Sequence, residues 1–139
     1  MLVAMINKIV DYLRLVKFSH TIFAMPMALL AFTYAWVTTS PEQPLWVLLV
    51  QVVLCMVFAR NVAMGFNRWA DRKIDAENPR TAMREIPAGR VSPRGAVVFV
   101  VVNAVLFIAV AASINALCGW LSPVALAIVM FYSYCKRFT

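Results

Sequence analysis

The chain has 139 residues, of which 63% are hydrophobic and only 14% are charged. Soluble globular domains carry about 25% charged residues, so this composition excludes that class and indicates a membrane protein. The formal net charge of +7 does not indicate a nucleic-acid partner, because the basic residues adjoin apolar runs, as in the basic loops of membrane proteins. The three cysteines fall in apolar runs at spacings that match no metal motif, so we interpret them as buried, reduced thiols.

Residues 2–66 predict one surface helix and two spanning helices. Residues 2–16 place apolar side chains at helical spacing with charged residues between them, which predicts an amphipathic helix at the membrane interface. Residues 18–39 are uncharged and long enough for a spanning helix of about 20 residues. A second span is predicted at about 45–66. Within it, Arg60 either extends toward the interface or reaches toward an anion.

Residues 67–94 form a polar stretch, called the motif segment below. Asn78 precedes Pro79, and a residue before proline is pushed out of the α region, so we expect a helix to end there. Ser92 followed by Pro93 is typical of a helix N-cap with proline at the first helical position. The motif segment is therefore predicted to hold a short helix and turns, and the third span to begin at its end.

Residues 95–135 contain no charged side chain. A single helix of that length would measure about 60 Å, twice the thickness of the hydrocarbon layer. We therefore expect the chain to fold back near residues 115–119, which gives a third span at about 95–115 and a fourth at about 118–135.

Together these elements predict an all-α fold: a polytopic bundle of transmembrane helices in one membrane domain, residues 1–139. Apart from Arg60 near the end of the second span, all basic residues lie before the first span, between the second and third, or after the fourth. The positive-inside rule then places the N-terminus, the motif segment and the C-terminus in the cytoplasm. The expected location is the inner (cytoplasmic) membrane, as an integral multi-pass protein with the lipid bilayer around it.

Asn67, Asp71 and Asp75 follow one another at intervals of four where the second apolar run ends. On a helix such residues share a face, with Cβ atoms about 6 Å apart, so the two carboxylates repel unless something offsets them. Mg²⁺ is held by one or two carboxylates and takes other ligands from substrate phosphates. We interpret the three residues as a Mg²⁺ site for a pyrophosphate. The alternative is that each aspartate forms an ordinary surface ion pair with the arginine three residues before it.

The motif segment resembles the first aspartate-rich motif and loop of UbiA-type intramembrane prenyltransferases. The resemblance is carried by the three residues above and by Asn-Pro-Arg-Thr-Ala-Met-Arg-Glu-Ile-Pro-Ala-Gly at 78–89. Tyr-Ser-Tyr-Cys-Lys-Arg at 132–137 is similar to the segment that follows the fourth span in that family. Residues 17–26 resemble the subgroup that prenylates a benzoate-type ring on the way to menaquinone or ubiquinone.

The resemblance implies an isoprenyl diphosphate as the donor, an aromatic acceptor such as 4-hydroxybenzoate, and Mg²⁺ as the cofactor. It also implies about nine spanning helices and a second aspartate motif on a later span. We therefore expect this chain to be the N-terminal portion of a longer enzyme, and to be inactive by itself.

Cleavage of an allylic diphosphate leaves charge on the departing pyrophosphate and an allylic cation behind, so cations already in place lower the barrier. Asp71, Asp75 and Asn67 are the predicted catalytic and metal-binding residues, with Asn67 as a neutral oxygen ligand or a supporting group. The candidate substrate-binding residues are Arg72, Lys73, Arg80, Arg84, Tyr132, Lys136 and His20. His20 is either a polar residue at the interface or a partner of the acceptor. Lys136 could equally fix the topology.

Two other classes remain as alternatives. CDP-alcohol phosphatidyltransferases also combine membrane helices, Mg²⁺ and paired aspartates, but their motif requires Asp-Gly and Ala-Arg elements, whereas here Arg72 follows Asp71 and Ala76 follows Asp75. The other class is a non-catalytic four-span subunit whose charges only fix the topology. Mg²⁺-dependent binding of a prenyl diphosphate would distinguish an enzyme from such a subunit.

Overall fold

The computed structural model describes residues 1–136, and within this range it contains six α-helices and no strand. The helices are α1 (Leu2–Leu15), α2 (Phe18–Thr39), α3 (Leu45–Ala70), α4 (Arg72–Glu77), α5 (Pro93–Ile114) and α6 (Ala116–Cys135). By length and composition, α2, α3, α5 and α6 can each cross a membrane. The predicted all-α bundle with four spans is thereby confirmed. Arg137, part of the resemblance after the fourth span, lies outside the described residues.

Local capping groups set the ends of the last two spans. Ser92 precedes α5 in an extended conformation, and its hydroxyl accepts a hydrogen bond from the Gly95 N–H at 3.0 Å. Asn115 separates α5 from α6, with its side chain accepting from the Cys118 N–H at 2.8 Å. These contacts satisfy N–H groups that the first helical turn leaves unpaired. The fold-back therefore occurs at Asn115, within the predicted range.

Helices α3, α5 and α6 pack around one apolar core. Its buried residues are Val62, Val100 and Leu126, one from each helix. The close contact between α3 and α5 depends on Gly65, where an added Cβ would lie 2.9 Å from Cγ2 of Val100. Without a hydrophobic driving force between spans in lipid, small residues that permit close approach are a main source of packing energy.

Polar pairs define the antiparallel register of α3 and α5. Midway along the contact, Asn61 Nδ2 donates to Asn103 Oδ1 at 2.8 Å. Near the start of α3, Gln51 Nε2 donates to the hydroxyl of Ser113 at 3.0 Å, and before it Gln43 Nε2 donates to the carbonyl of Ile114 at 2.8 Å. The end of α3 therefore lies beside the start of α5.

A second apolar cluster attaches α1 and the motif segment to this end of the bundle. Leu15 of α1 packs with Ile86 and Val91 of the motif segment and with Ala96 of α5. Tyr12 and Trp69 pack against the same cluster, and Tyr12 also stacks on Phe99, with ring centroids 5.1 Å apart. The loop that follows the aspartates is thus held at the bundle surface by buried side chains.

Candidate functional site

The helical path continues through the aspartate motif. Helix α3 ends at Ala70, four residues beyond the predicted span, so Asn67 belongs to its last turn. The Asp71 N–H donates to the Asn67 carbonyl at 3.0 Å, and the Asp75 N–H donates to the Asp71 carbonyl at 2.8 Å. Although α3 and α4 are separate helices, these hydrogen bonds preserve the i to i+4 spacing that the sequence predicts across the junction.

Asp75 is buried and paired with an arginine from the following loop. Only 5% of Asp75 is exposed. Its Oδ1 and Oδ2 both accept from Nη1 of Arg84, at 2.7 and 2.9 Å. The structure therefore joins a predicted metal ligand to a predicted phosphate-binding residue. The alternative in which Asp75 pairs with Arg72 is wrong.

The loop after α4 folds back so that Arg84 reaches Asp75. Asn78 is extended before Pro79, which ends α4 as predicted. Its side-chain oxygen accepts from the Arg80 N–H at 3.0 Å. The Thr81 hydroxyl donates to the Asp75 carbonyl at 2.9 Å, and the Arg84 N–H donates to the Thr81 carbonyl at 3.0 Å. Each of these hydrogen bonds involves a backbone atom, and together they hold the loop on α4.

The other predicted cations of the motif segment do not converge on the aspartates. The Arg72 guanidinium lies 4.6 Å from the centroid of the Trp69 ring, and its Nη1 donates to the Trp69 carbonyl at 2.7 Å. Arg72 is thus directed back along α3. Lys73 and Arg80 are exposed to solvent. Both remain accessible to an anion that approaches from outside the bundle.

A cavity of about 410 Å³ lies between α3 and α6 and is called the motif cavity below. Asn67, Tyr132 and Lys136 all line it, with Met64 and Ile128 among its apolar residues. The structure therefore brings one predicted metal-site residue and two predicted substrate-binding residues to a single cavity. Lys136 directly follows α6 and Tyr132 lies one helical turn before it, so their spacing of four places both side chains on the same face.

His20 lies elsewhere in the described part of the chain. It occupies the first turn of α2, is exposed, and contacts Phe23, with ring centroids 6.4 Å apart. It is not among the residues that line the motif cavity. Its suggested contact with the acceptor stays a prediction.

Arg68 lies beside the candidate site, although its place in the sequence does not single it out. It is only 6% exposed, although it is an arginine in the last turn of a spanning helix. Its Nε is buried and makes no hydrogen bond with residues 1–136. The guanidinium lies within electrostatic range of Arg84, Asp75 and Asp71. An arginine at the end of a span is energetically costly unless it has a partner. This cost is the feature of the sequence that could have identified Arg68.

The oxygen donors of the motif fit a hard cation. Residues 1–136 contain no cluster of three His, Cys, Asp or Glu side chains placed to hold a metal. The donor set consists instead of the two aspartates and the amide of Asn67, whose Oδ1 is buried without a hydrogen-bond partner in the described chain. Buried acceptors are rarely left unpaired, and carboxylate and amide oxygens suit Mg²⁺.

Comparisons with known proteins place this geometry in context. A model of the UbiA prenyltransferase family matches residues 22–139. The 4-hydroxybenzoate octaprenyltransferase of Escherichia fergusonii is 32% identical over 133 residues, which are 96% of this chain and 46% of that protein. The protein of the same name from Pseudomonas fluorescens is 41% identical over 88 residues, 63% of this chain and 29% of its own length.

A solved structure agrees with the sequence relatives. The apo structure of a UbiA homolog from Aeropyrum pernix K1 superposes with a TM-score of 0.74 and 34% identity, over 86% of this chain and 42% of that one. The chain spans about half the length of the curated relatives it matches. With four helices able to span a bilayer, it is an integral, multi-pass membrane protein, and it belongs to the UbiA prenyltransferase family.

Proposed function

We propose that this chain forms part of the site of a prenyltransferase that moves a polyprenyl group from an isoprenyl diphosphate to an aromatic acceptor. The relatives named above suggest 4-hydroxybenzoate as the acceptor and quinone biosynthesis as the setting. The observation that carries the proposal is the motif cavity, in which Asn67 at the head of the aspartate motif lies with Tyr132 of α6 and with Lys136 directly after this helix.

The diphosphate end of the reaction is assigned to the motif. Asp71, Asp75 and Asn67 would hold Mg²⁺, which, when bound, neutralises charge on the departing diphosphate. Arg84 and Arg68 both lie near these aspartates and add positive charge close to the carboxylates. Cations held in position before the reaction stabilise developing negative charge without further reorganisation.

The acceptor and the prenyl chain are assigned to the motif cavity. The Lys136 ammonium at its edge would attract an anionic substrate group, and the Tyr132 hydroxyl would donate to it or accept from it. Met64 and Ile128 supply an apolar wall beside them. Such a wall suits the apolar isoprenoid chain.

The proposed orientation has the N-terminus, the motif segment and the C-terminus in the cytoplasm of the inner membrane. The segregation of basic residues supports this orientation. The packing of Leu15 of α1 on Ile86 and Val91 of the motif segment also supports it, because the start of the chain and the motif segment then lie on the same side.

The test is Mg²⁺-dependent binding of a non-reactive thio analogue of an isoprenyl diphosphate to the purified chain in detergent. We expect binding that requires Mg²⁺ and is weakened at least tenfold by Asp71→Asn, since one charge-assisted ligand is lost. Glu77→Gln is the matched control, because it removes a carboxylate from the same short helix at an exposed position. Binding that survives chelation of Mg²⁺, or that Glu77→Gln weakens as much as Asp71→Asn does, would contradict the proposal.

A further inference from the structure

We propose that Arg84 is a transferable counter-cation: it neutralises Asp75 until a divalent cation takes over that carboxylate, and it then donates to the diphosphate. The inference rests on the proposed function, because it assigns one residue's movement within the same site. It makes the binding of the divalent cation and of the diphosphate interdependent.

The first step concerns the carboxylate of Asp75. It is almost fully buried, and a buried charge without a partner is strongly unfavourable. Arg84 meets this requirement by placing a single nitrogen, Nη1, within 2.7 and 2.9 Å of both carboxylate oxygens. One nitrogen thus engages both oxygens, and a divalent cation that binds Asp75 competes with its positive charge.

The second step concerns the freedom of the Arg84 side chain. It is 35% exposed, and its Nε and Nη2 make no hydrogen bond with residues 1–136. The loop that carries it is held by contacts of Thr81 and Asn78 that do not involve the guanidinium. Arg84 can consequently leave Asp75 without undoing the loop.

The third step concerns Arg68. Its guanidinium is buried in the last turn of α3 and lies within electrostatic range of Arg84 and of the carboxylates of Asp71, Asp75 and Glu85. Arg84 therefore has a second cation near it while it is paired with Asp75. Once a divalent cation compensates Asp75, Arg84 is repelled by two neighbouring cations. An incoming diphosphate then provides the acceptor that Arg84 lacks, in a charge-assisted hydrogen bond.

Thermodynamic linkage follows from this arrangement. A divalent cation that binds alone competes with Arg84, so its affinity is low. A diphosphate that accepts Arg84 removes the competition. Each ligand therefore raises the affinity for the other by the same factor, in the usual range of about 5- to 150-fold for coupled sites.

The experiment measures Mn²⁺ binding to the chain in detergent by electron paramagnetic resonance, in which bound Mn²⁺ loses the signal of the free ion. Without diphosphate, we expect Arg84→Gln to bind Mn²⁺ about tenfold more tightly than the wild type, because the competing cation is gone. Arg94→Gln is the matched control: it removes the same charge from an exposed position at the start of α5, and we expect little change. With saturating Mg²⁺, binding of the thio analogue should weaken about tenfold in Arg84→Gln only.

A second pair of variants serves if Arg84→Gln does not fold. Asp75→Asn removes the partner of Arg84, so in the absence of divalent cations the thio analogue should bind more tightly than to the wild type. Glu77→Gln removes the same charge from an exposed position on the same short helix and leaves the Arg84–Asp75 pair in place, so its gain should be several-fold smaller. Equal gains would mean that only net charge matters, and would overturn the inference.

The two proposals fail in different ways. If no variant binds Mn²⁺ up to millimolar concentration, the proposed function fails, and the inference fails with it. If the wild type binds Mn²⁺ and Arg84→Gln binds it no more tightly, the metal site stands and the transfer of Arg84 is overturned.

Discussion

Asp71 and Asp75 carry the same charge but differ in their surroundings. Asp75 is buried against Arg84, so Asp75→Asn breaks an ion pair as well as removing a metal ligand. We expect it to lower the free energy of unfolding by about 1–2 kcal/mol, the range for hydrogen bonds to charged groups where one partner can reach solvent. Thermal unfolding of this variant and of the wild type in detergent measures the difference.

This difference corrects one expectation drawn from spacing alone. Two carboxylates one helical turn apart repel, so neutralising either should relieve the helix. Arg84 reverses the expected effect on stability of neutralising Asp75, because it already compensates the charge of that carboxylate. An Asp75→Asn chain as stable as the wild type would show that the pair adds no stability.

The sequence predicts site residues that are related by spacing along one helix. It does not predict contacts with residues of a loop that folds back on that helix. Asn67, Asp71 and Asp75 follow from periodicity along one helix. The partner of Asp75 comes from a loop nine residues further on, and no periodicity encodes how a loop folds back. Arg68 was considered only as a surface partner of Asp71. Its burial depends on the packing of the motif segment, which the sequence pattern does not describe.

At the scale of helices, Gly65 controls how closely α3 approaches α5. A Cβ at this position would lie 2.9 Å from Val100 Cγ2, too close for a rigid β-branched neighbour to avoid. We expect Gly65→Ala to lower the free energy of unfolding by about 1–3 kcal/mol, as for other overpacked contacts. Because Asn67 lies two residues further along the same helix, binding of the diphosphate analogue should weaken as well.

A compensating variant tests whether the contact with Val100 causes the loss of stability in Gly65→Ala. Val100→Ala removes the atom that clashes, so the double variant Gly65→Ala/Val100→Ala should be more stable than the sum of the two single effects predicts. Strict additivity of the two changes would indicate that Gly65→Ala acts through something other than this contact.

Helix ends followed the sequence closely wherever a cap is encoded. Ser92 and Asn115 hydrogen-bond N–H groups three residues ahead of them, and such contacts depend only on neighbouring residues. The apolar run places the second span at about 45–66, and the helix continues beyond it to Ala70. Hydrogen bonding along the backbone does not require apolar side chains, so the end of the membrane-buried part and the end of the helix differ.

At the scale of the whole molecule, the orientation of the bundle can be tested with single cysteines. Glu42 lies between α2 and α3, and Glu77 lies at the end of α4; both are exposed. We replace each by cysteine in a chain whose Cys55, Cys118 and Cys135 are alanine. In sealed vesicles a membrane-impermeant maleimide should label the two positions from opposite sides, Glu77→Cys from the cytoplasmic side. Labelling of both from one side would contradict the proposed topology.

The last prediction concerns what the 139-residue chain does when expressed by itself. Tyr132 of the motif cavity is 73% exposed, so within this chain the cavity does not shield an allylic cation from its surroundings. Exclusion of water from such an intermediate is part of the catalytic requirement. We therefore expect Mg²⁺-dependent binding of a polyprenyl diphosphate with product formation at least about a hundredfold below that of the Escherichia fergusonii relative, a deficit that an exposed intermediate and lost positioning readily produce. Both proteins are reconstituted in the same lipids with polyprenyl diphosphate, 4-hydroxybenzoate and Mg²⁺, and the prenylated product is quantified. A rate within tenfold of the relative's would show that these four spans enclose the reaction by themselves, most simply by pairing the exposed faces of two copies.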